Sequence, residues 1–256
     1  MAISFPYKTK RKYSESDGIN ADDSWYVECD AIAKSPSDVS PYLVANEWIA
    51  ANIAWFLRLP IPPFTLMGEK RRDKLMFGSY RYDGDKKVLV PSDGSVLYQR
   101  FPDTCTGIVL FDILIANKDR NSRNIKVDKP DKPKRFYIID HERSLFYLYP
   151  EDGANQLAAA EDRLGITDGT FSDDEFHCLI GELDSIDHVL RWIEKIQDLP
   201  DWFIDEICLT LPSFTINKAE RTAVCAFLKR RRDKISELVF QNKERFPKIK
   251  QWQLFL

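Results

Sequence analysis

The sequence predicts an α+β protein, in which a β-rich N-terminal part with one helix (residues 1–82) precedes a mainly helical C-terminal part (residues 83–256). Three observations support this prediction. Aromatic and β-branched runs separated by turn-forming residues dominate the N-terminal part, as they do in β-strands. An apolar helical pattern interrupts these runs at residues 41–58. After residue 146, apolar residues recur at helical spacing, in segments that end at Pro or Gly.

The composition excludes several classes of protein. A hydrophobic fraction of 44% in 256 residues is typical of a globular chain and excludes wholesale disorder. A net charge of −3 gives no electrostatic support for a nucleic-acid partner. The five Cys are odd in number and have no CxxC spacing, which favours reduced thiols and disfavours a zinc site. No apolar run reaches the ~20 residues that cross a bilayer, so we expect a cytoplasmic protein without membrane contact.

Residues 1–34 predict two strands. Tyr7 and Tyr13 precede the turn-forming stretch SESDGINADDS, and the strand-forming residues 25–27 follow it. This stretch lacks the G-x-G-x-x-G pattern of nucleotide-binding loops. An ordinary hairpin connection is therefore favoured over a loop that covers a phosphate.

Residues 41–58 predict one helix. Ser40 can cap it, Pro41 suits its first turn, and Pro60 ends it. Its apolar residues do not share one face, so both sides are expected to be covered. Glu47 is an isolated acid among them. The pattern alone favours a solvated carboxylate at this position over one that turns inward to pair with a cation.

Residues 64–106 predict further short strands. Two of them, 64–67 and 74–82, flank the basic turn GEKRRD, which is interpreted as solvated rather than as a binding patch. VLV (88–90) and VLYQRF (96–101) are two more candidates.

The C-terminal part predicts a series of helices. They cover residues 155–165, 172–183, 185–200, 201–212 and 216–246. Ser172, with Glu175 three residues later, has the pattern of a capping box. The basic run LKRRRDK in the last helix is expected to form a solvated face.

Residues 107–146 carry the chemistry. An apolar helical run ends in the polar loop KDRNSRN, and two short strands around a Pro-containing turn lead to Asp140. Asp119 and Asn124 have the D-x-x-x-x-N spacing of kinase catalytic loops, in which the Asp accepts the substrate proton and the Asn binds metal. Asp140 follows a strand, as the second metal-binding Asp of kinases does. Because Mg²⁺ prefers hard oxygen ligands, the pattern predicts a metal-dependent phosphoryl-transfer site.

The motifs LFDILIANKDRNSRN and YIIDHERSLF together resemble the catalytic segment of the HipA-like kinases, especially their compact stand-alone branch. VANEWIAANIAWFLRLPIPP is similar to helix C of that family and the L-P-x-P segment after it. The resemblance implies a two-lobed protein-kinase-like fold, with a small β-rich N-lobe that includes helix C and a mainly helical C-lobe. The C-lobe would contain the catalytic loop 117–124, the metal segment 138–146 and the helical tail 155–245.

The resemblance also implies the roles of five residues. Asp119 would be the catalytic Asp, and Asn124 and Asp140 would hold Mg²⁺. Glu47 would be the helix-C Glu, in place of the solvated carboxylate that the pattern alone favours. Phe77 would lie near the adenine of the cofactor, ATP.

Further residues around the catalytic loop match the family or depart from it. Asp112 and Asn117 would brace the loop; the alternative for both is ordinary hydrogen bonding at a helix end. Arg120 would contact a phosphate or the activation segment. Arg123 is a departure, because the family often has Gly at this position; its side chain is either tolerated at the turn or reaches a phosphate. His141 follows the metal-binding Asp, where this branch usually has His.

One departure from the family concerns the phosphate-binding Lys, which normally ends a strand that reads roughly Y-V-V-K. The matching stretch here is WYVEC, which puts Glu28 at the Lys position. An acid at this position would repel the phosphates of ATP. Lys34 lies nearby, but it would reach the site only through a bulge or a shifted strand.

Three functions follow from these observations. Asp119, Asn124 and Asp140 favour an ATP- and Mg²⁺-dependent kinase that phosphorylates a hydroxyl, with Ser or Thr of a protein as the preferred acceptor. Glu28 favours a catalytically weak regulatory module that binds a nucleotide or a protein. A phosphoinositide or small-molecule kinase is the third, with thin support from the basic residues 70–72. The resemblance also suggests a protein substrate or an antitoxin-like regulator as the partner.

Overall fold

The computed structural model describes residues 7–12, 25–68, 75–80, 89–91, 93–146, 152–166, 177–250 and 252. Within these ranges, short antiparallel strands combine with eight α-helices, which confirms the predicted mixed composition. The strands are β1 (Tyr7–Lys12), β2 (Trp25–Cys29), β3 (Ala31–Lys34), β4 (Phe64–Gly68), β5 (Leu75–Tyr80), β6 (Val90–Pro91), β7 (Ile125–Val127) and β8 (Phe136–Ile138). The helices are α1 (Leu43–Phe56), α2 (Gly94–Arg100), α3 (Pro102–Leu114), α4 (Gly153–Ala160), α5 (Ile186–Gln197), α6 (Asp201–Leu209), α7 (Lys218–Asp233) and α8 (Ile235–Gln241).

The strands before residue 81 belong to two separate sheets. β1 and β2 pair antiparallel, as predicted, and the loop that joins them lies outside the described residues. β3 does not extend this pair, because the chain leaves it at Asp30 and enters a second sheet with the order β3-β5-β4. Lys34 of β3 is the cross-strand partner of Phe77 of β5. Since directly opposite residues share a face of a sheet, the Lys34 and Phe77 side chains lie on the same side.

The helix α1 begins later than predicted, at Leu43, with Tyr42 as the N-cap residue. The predicted cap by Ser40 is wrong, because Ser40 is engaged with Ser37 in an isolated bridge and its amide donates to Ser37 Oγ at 3.2 Å. Most residues of α1 are buried on all sides, and the helix packs against β4, β5 and α6. The prediction that both sides of this helix are covered is confirmed.

The strand predicted at residues 96–101 is wrong, because residues 94–100 form α2. The Asp93 side chain caps this helix and accepts hydrogen bonds from the amides of Ser95 (2.8 Å) and Val96 (3.2 Å). A side chain that satisfies the first free N–H groups stabilises a helix even where the residues favour a strand. Of the strand predicted at 88–90, residue 90 belongs to β6, residue 89 precedes it, and residue 88 lies outside the described residues.

The hairpin predicted after residue 124 is present. β7 and β8 pair antiparallel with Ile125 opposite Ile138, and β6 adds a third strand beside β7. The amide of Ile138 also donates to the carbonyl oxygen of Pro60, at 2.8 Å. This bond attaches the loop after α1 to the strand that delivers Asp140.

The helices of the C-terminal part differ from prediction in two places. The long helix predicted at 216–246 is divided at Lys234 into α7 and α8, and Asn217 and Glu220 form a capping box at the start of α7. The predicted capping box of Ser172 and Glu175 lies outside the described residues. Residues 180–182 form a single 3-10 turn, so the prediction of a continuous α-helix up to residue 183 is wrong.

The basic run in α7 is not a uniformly solvated face, because Arg231 is completely buried. Its guanidinium donates to the carbonyl oxygens of Ile113 and Leu114, the last residues of α3. It also donates to four carbonyl oxygens at and after the end of α4, those of Ala160, Glu161, Arg163 and Leu164. A cation is stabilised at the C-terminal ends of helices, where the carbonyl dipoles accumulate.

Candidate functional site

A cleft lies where β3, β5, the loop after α1 and the end of β8 meet. It encloses a small cavity of about 60 Å³ and is partly open to solvent. Its apolar walls include Ile32, Ile61, Phe77 and Ile138. Its polar end is formed by Lys34, Glu47, Asp140 and His141.

Lys34 joins two carboxylates at the polar end of this cleft. Its Nζ lies 2.5 Å from Oε1 of Glu47 on α1 and 2.7 Å from Oδ1 of Asp140 after β8. Glu47 is buried, with 2% of its side chain exposed, whereas Lys34 and Asp140 are 29% and 32% exposed. The expectation of a solvated Glu47 is therefore wrong, and Glu47 turns inward to a cation.

The expected position of the phosphate-binding Lys is corrected by the same contacts. Glu28 lies on β2, is exposed, and is not among the described residues that line the cleft. The chain changes sheets at Asp30, and Lys34 at the end of β3 is the residue that contacts Glu47. Of the two routes that the sequence left open for Lys34, a bulge or a shifted strand, the structure has the shifted strand.

The charges of this group stabilise one another. Burial lowers the pKa of Lys34, but the charges of Glu47 and Asp140 outweigh burial and raise that pKa above its ordinary value. Burial raises the pKa of Glu47, but the hydrogen bond to His141 and the charge of Lys34 outweigh burial and lower that pKa to about 2. Lys34 and Glu47 are therefore both charged at neutral pH.

His141 occupies the second oxygen of Glu47. Its Nδ1 lies 3.2 Å from Oε2 of Glu47, and its ring packs edge-on against Phe111. Its Nε2 is buried and has no hydrogen-bond partner among the described residues. Since buried polar atoms are normally paired, this unpaired nitrogen is an exception among the described residues, and His141 is itself one of the residues that line the cleft.

Asp140 has a backbone conformation that non-glycine residues rarely adopt, with φ at 64°. The preceding residue fixes it, because the amide of Ile139 donates to the carbonyl oxygen of Asn124 at 3.0 Å. Strained residues of this kind persist where the surroundings over-determine them, and they cluster at functional sites. The same bond keeps the two predicted metal ligands, Asn124 and Asp140, on adjoining stretches of chain.

The catalytic loop holds Asp119 in a network of side-chain amides. Asn121 Nδ2 donates to Oδ1 of Asp119 at 2.8 Å, and Asn124 Nδ2 donates to the backbone oxygen of Asp119 at 2.6 Å and to its Oδ2 at 3.3 Å. Arg143 Nε lies 4.0 Å from Asp119 Oδ2. Because its Nδ2 is used in these bonds, Asn124 has its amide oxygen left to offer a metal.

Beneath the loop, Asp112 is buried and collects four hydrogen bonds. Asn117 Nδ2 donates at 2.8 Å, Arg120 donates through Nε (2.8 Å) and Nη2 (3.0 Å), and His177 Nε2 lies at 3.0 Å. Burial raises the pKa of Asp112, but the charge of Arg120 outweighs it and holds that pKa well below its usual range. Asp112 and Asn117 therefore have the bracing positions that the resemblance implied.

Arg120 is buried beside the metal segment 138–146. It is 1% exposed, and its remaining donor, Nη1, contacts the carbonyl oxygens of Asn124 (3.2 Å) and Ile139 (2.7 Å). The contact with a phosphate, one of the two that the resemblance implied, is inconsistent with this burial. The bond to Ile139 O instead ties the catalytic loop to the residue before Asp140, where the second implied contact, with the activation segment, would begin.

Two other predicted residues lie apart from the charged group. Phe77 is 4% exposed and lines the cleft, where its ring stacks near Phe64 with centroids 5.8 Å apart. Arg123 is exposed on the catalytic loop and does not line the cleft. No sequence pattern pointed to His177, which lies 65 residues from its partner, Asp112.

The donor set fits Mg²⁺ bound together with a nucleotide. Asp140 and Asn124 offer one carboxylate and one amide oxygen, and Mg²⁺ sites usually use one or two carboxylates with phosphates and water. Among the described residues there is no cluster of three or more His, Cys, Asp or Glu that could hold a metal without such a ligand.

No described helix is long and apolar enough to cross a membrane.

Comparison with solved structures supports a kinase fold. The Helicobacter pylori proinflammatory kinase CtkA matches with a TM-score of 0.56 and 16% identity, over 81% of this chain and 88% of that chain. HipA of Shewanella oneidensis MR-1, solved with HipB and its operator DNA, matches with a TM-score of 0.45 and 14% identity, over 93% of this chain and 66% of that chain. No protein-family model and no curated protein matches. The likeness to CtkA shows the kinase fold that the motifs indicated.

Proposed function

We propose that this protein is an ATP- and Mg²⁺-dependent kinase that transfers the γ-phosphoryl group to a hydroxyl, that of Ser or Thr in a protein. The observation that carries the proposal is the position of Lys34 Nζ between Glu47 and Asp140, at 2.5 and 2.7 Å. A Lys–Glu pair and a metal-binding Asp must both be in place in a kinase site. The kinase fold shared with CtkA agrees with this assignment.

Each charged group of the site has a part in the reaction. Lys34 would bind the phosphates, oriented by Glu47, and would release Asp140 as they enter. Asp140 and Asn124 would hold Mg²⁺, which when bound would neutralise the charge on the phosphates. Asp119 would accept the proton of the acceptor hydroxyl, and its carboxylate is kept in one orientation by Asn121 and Asn124.

The proposed lobes follow from the same assignment. An N-lobe of residues 1–82 would cover the nucleotide, and a C-lobe of residues 83–256 would carry the loop and the metal segment. Glu28 at the Lys position favoured a weak regulatory module, and the contacts of Lys34 weaken that support. The short, glycine-poor loop near the N-terminus also favoured such a module, and it lies outside the described residues. The basic residues 70–72, which favoured a phosphoinositide acceptor, lie outside the described residues. A protein substrate, an antitoxin-like regulator and a cytoplasmic location stay predictions.

Incubation with labelled ATP and Mg²⁺ tests the proposal. Wild type should transfer label to itself or to added protein, as phosphoserine or phosphothreonine. Asp119→Asn and Asp140→Asn should each lower the rate by at least about a hundredfold. Asp131→Asn, in the exposed turn of the β7–β8 hairpin, is the matched control and should keep the wild-type rate.

Two outcomes would contradict the proposal. Wild-type activity in Asp140→Asn would exclude the metal assignment. A wild type that is stabilised by ATP in a thermal shift, but never transfers phosphate, would favour the regulatory module instead.

A further inference from the structure

Asn46, which precedes Glu47 on α1, makes three hydrogen bonds to the chain after Asp140. Its Nδ2 donates to the carbonyl oxygens of Glu142 (2.7 Å) and Phe146 (2.8 Å), and its Oδ1 accepts from the amide of Phe146 (3.2 Å). The side chain is 1% exposed. Both N–H groups of the Asn46 side-chain amide are therefore used by backbone oxygens.

The stretch that Asn46 holds is conformationally demanding. Asp140 and Leu145 both have positive φ, at 64° and 46°. Conformations of this kind are unfavourable for residues other than glycine and persist only under restraint from the surrounding structure. Other bonds restrain the stretch from the side of the catalytic loop, since Leu145 N donates to Ile115 O at 2.9 Å and Lys118 N donates to Arg143 O at 3.2 Å.

The bonds of Asn46 supply the restraint from the opposite side, that of α1. They span residues 142 to 146 and begin two residues after Asp140. Because Asn46 and Glu47 are neighbours on a buried helix, the same helix sets the place of the Glu47 carboxylate and of the turn after Asp140. The distance between the two carboxylates, which Lys34 bridges, is thereby fixed.

We propose that Asn46 is a positioning residue for the metal segment: its side-chain amide fixes the turn 142–146 to α1 and so orients Asp140 toward the metal. This proposal rests on the proposed kinase function. Residues that orient a metal ligand typically contribute ten- to a hundredfold to metal affinity, while the ligand itself is unchanged.

The test compares Asn46→Asp with Asn52→Asp in the full chain. Asn46→Asp keeps the shape but places a carboxylate oxygen against two carbonyl oxygens. Asn52 lies on the same helix, and its Nδ2 donates to the carbonyl oxygen of Trp48 within that helix at 2.8 Å, which makes Asn52→Asp the matched control. Thermal stability is measured with a non-hydrolysable ATP analogue while Mg²⁺ is titrated.

We expect Mg²⁺ to add to the stabilisation by the analogue in wild type and in Asn52→Asp. In Asn46→Asp, the Mg²⁺ concentration for half of this increment should rise about tenfold or more, while the shift with the analogue alone stays as in wild type. If Asn46→Asp does not fold, Asn46→Ser is measured in its place and judged by the same Mg²⁺ midpoint and the same shift with the analogue. An unchanged Mg²⁺ midpoint, or equal loss of the analogue and Mg²⁺ shifts, would overturn the role of Asn46. Absence of any Mg²⁺ increment in wild type would overturn the kinase assignment and this role with it.

Discussion

Two groups of charged side chains, which meet at Ile139, differ in their access to water. Arg120 of the first group donates to Ile139 O, and Asp140 of the second group is the next residue. We call Asp112, Arg120 and His177 the loop group, and Lys34, Glu47 and Asp140 the cleft group. The side chains of the loop group are 0% exposed, and the guanidinium and carboxylate are satisfied by protein donors and acceptors. In the cleft group only Glu47 is buried, and Lys34 and Asp140 are about one-third exposed.

This difference in exposure separates the residues that hold the catalytic loop in place from the residues that can contact a ligand. A buried ion pair cannot exchange partners without leaving a charge unpaired in a low-dielectric interior, so the loop group has one arrangement. Lys34 can exchange the Asp140 carboxylate for the anionic oxygens of a ligand at little cost, because one side of the pair already faces water. Arg120 joins the two groups through its bond to Ile139 O, at 2.7 Å.

The largest effect is expected from removal of the carboxylate of the loop group. Asp112→Ala leaves the buried guanidinium of Arg120 without its counter-ion, and should lower the free energy of unfolding by about 3–5 kcal/mol. Urea unfolding followed by circular dichroism measures this change. Asp103→Ala is the control on the same helix, because its pair with Arg191 is 45% and 58% exposed and should contribute less than about 1 kcal/mol. Equal losses in the two variants would remove the distinction between buried and open pairs.

Glu47 is the buried member of the cleft group, and the pH dependence of the unfolding free energy tests whether it is held as a carboxylate. Its pKa falls from 4.5 to about 2 on folding, so its charge stabilises the folded state above pH 4.5, and this contribution is lost as the pH falls toward about 2. The full contribution is about 3 kcal/mol. Glu47→Gln lacks this titration, so the difference in unfolding free energy between wild type and variant should shrink on acidification.

Urea unfolding at about pH 7, about pH 4.5 and about pH 3 covers the window of this titration. A difference that is constant across these conditions would show that Glu47 is not held as a carboxylate by Lys34 and His141. Glu47 would then resemble the exposed pair Asp103–Arg191 rather than the buried pair Asp112–Arg120.

The smallest effect is expected at Arg123, which belongs to neither group. It is exposed on the catalytic loop, and substitutions at such positions usually change stability by no more than about 0.5 kcal/mol. Arg123→Ala should leave the unfolding free energy at the wild-type value, and steady-state kinetics should give a KM for ATP within about threefold of wild type. A rise in KM of tenfold or more, about 1.4 kcal/mol, would reinstate the phosphate contact that the sequence suggested.

The parts of the site that the sequence predicted are those encoded locally. Asp119 and Asn124 lie five positions apart on one loop, and Asp140 follows a hairpin whose strands and turn are written in adjacent residues. Spacing along the chain therefore fixes their proximity. The α+β division and the position of α1 were predictable for the same reason, since each depends on periodicity within a short window.

The parts that the sequence did not predict depend on packing between distant segments. Lys34 reaches the cleft because the chain changes sheets at Asp30, and no local pattern marks that change. His177 meets Asp112 across 65 positions. Arg231 stands in a run of basic residues that look alike in sequence, and only the position of α7 against the ends of α3 and α4 selects it for burial.

The cation that binds the phosphates is Lys34 and not residue 28 if the proposed function is right, and the phosphoryl-transfer rates of Lys34→Met and Glu28→Gln distinguish the two positions. Lys34→Met removes the charge at the position that contacts Glu47 and Asp140 in the structure. Glu28→Gln removes the charge at the position where the family pattern has the phosphate-binding Lys. We expect Lys34→Met to lose on the order of a hundredfold in rate and Glu28→Gln to match wild type, with both proteins folded by circular dichroism. A wild-type rate in Lys34→Met, or a large loss in Glu28→Gln alone, would contradict the account.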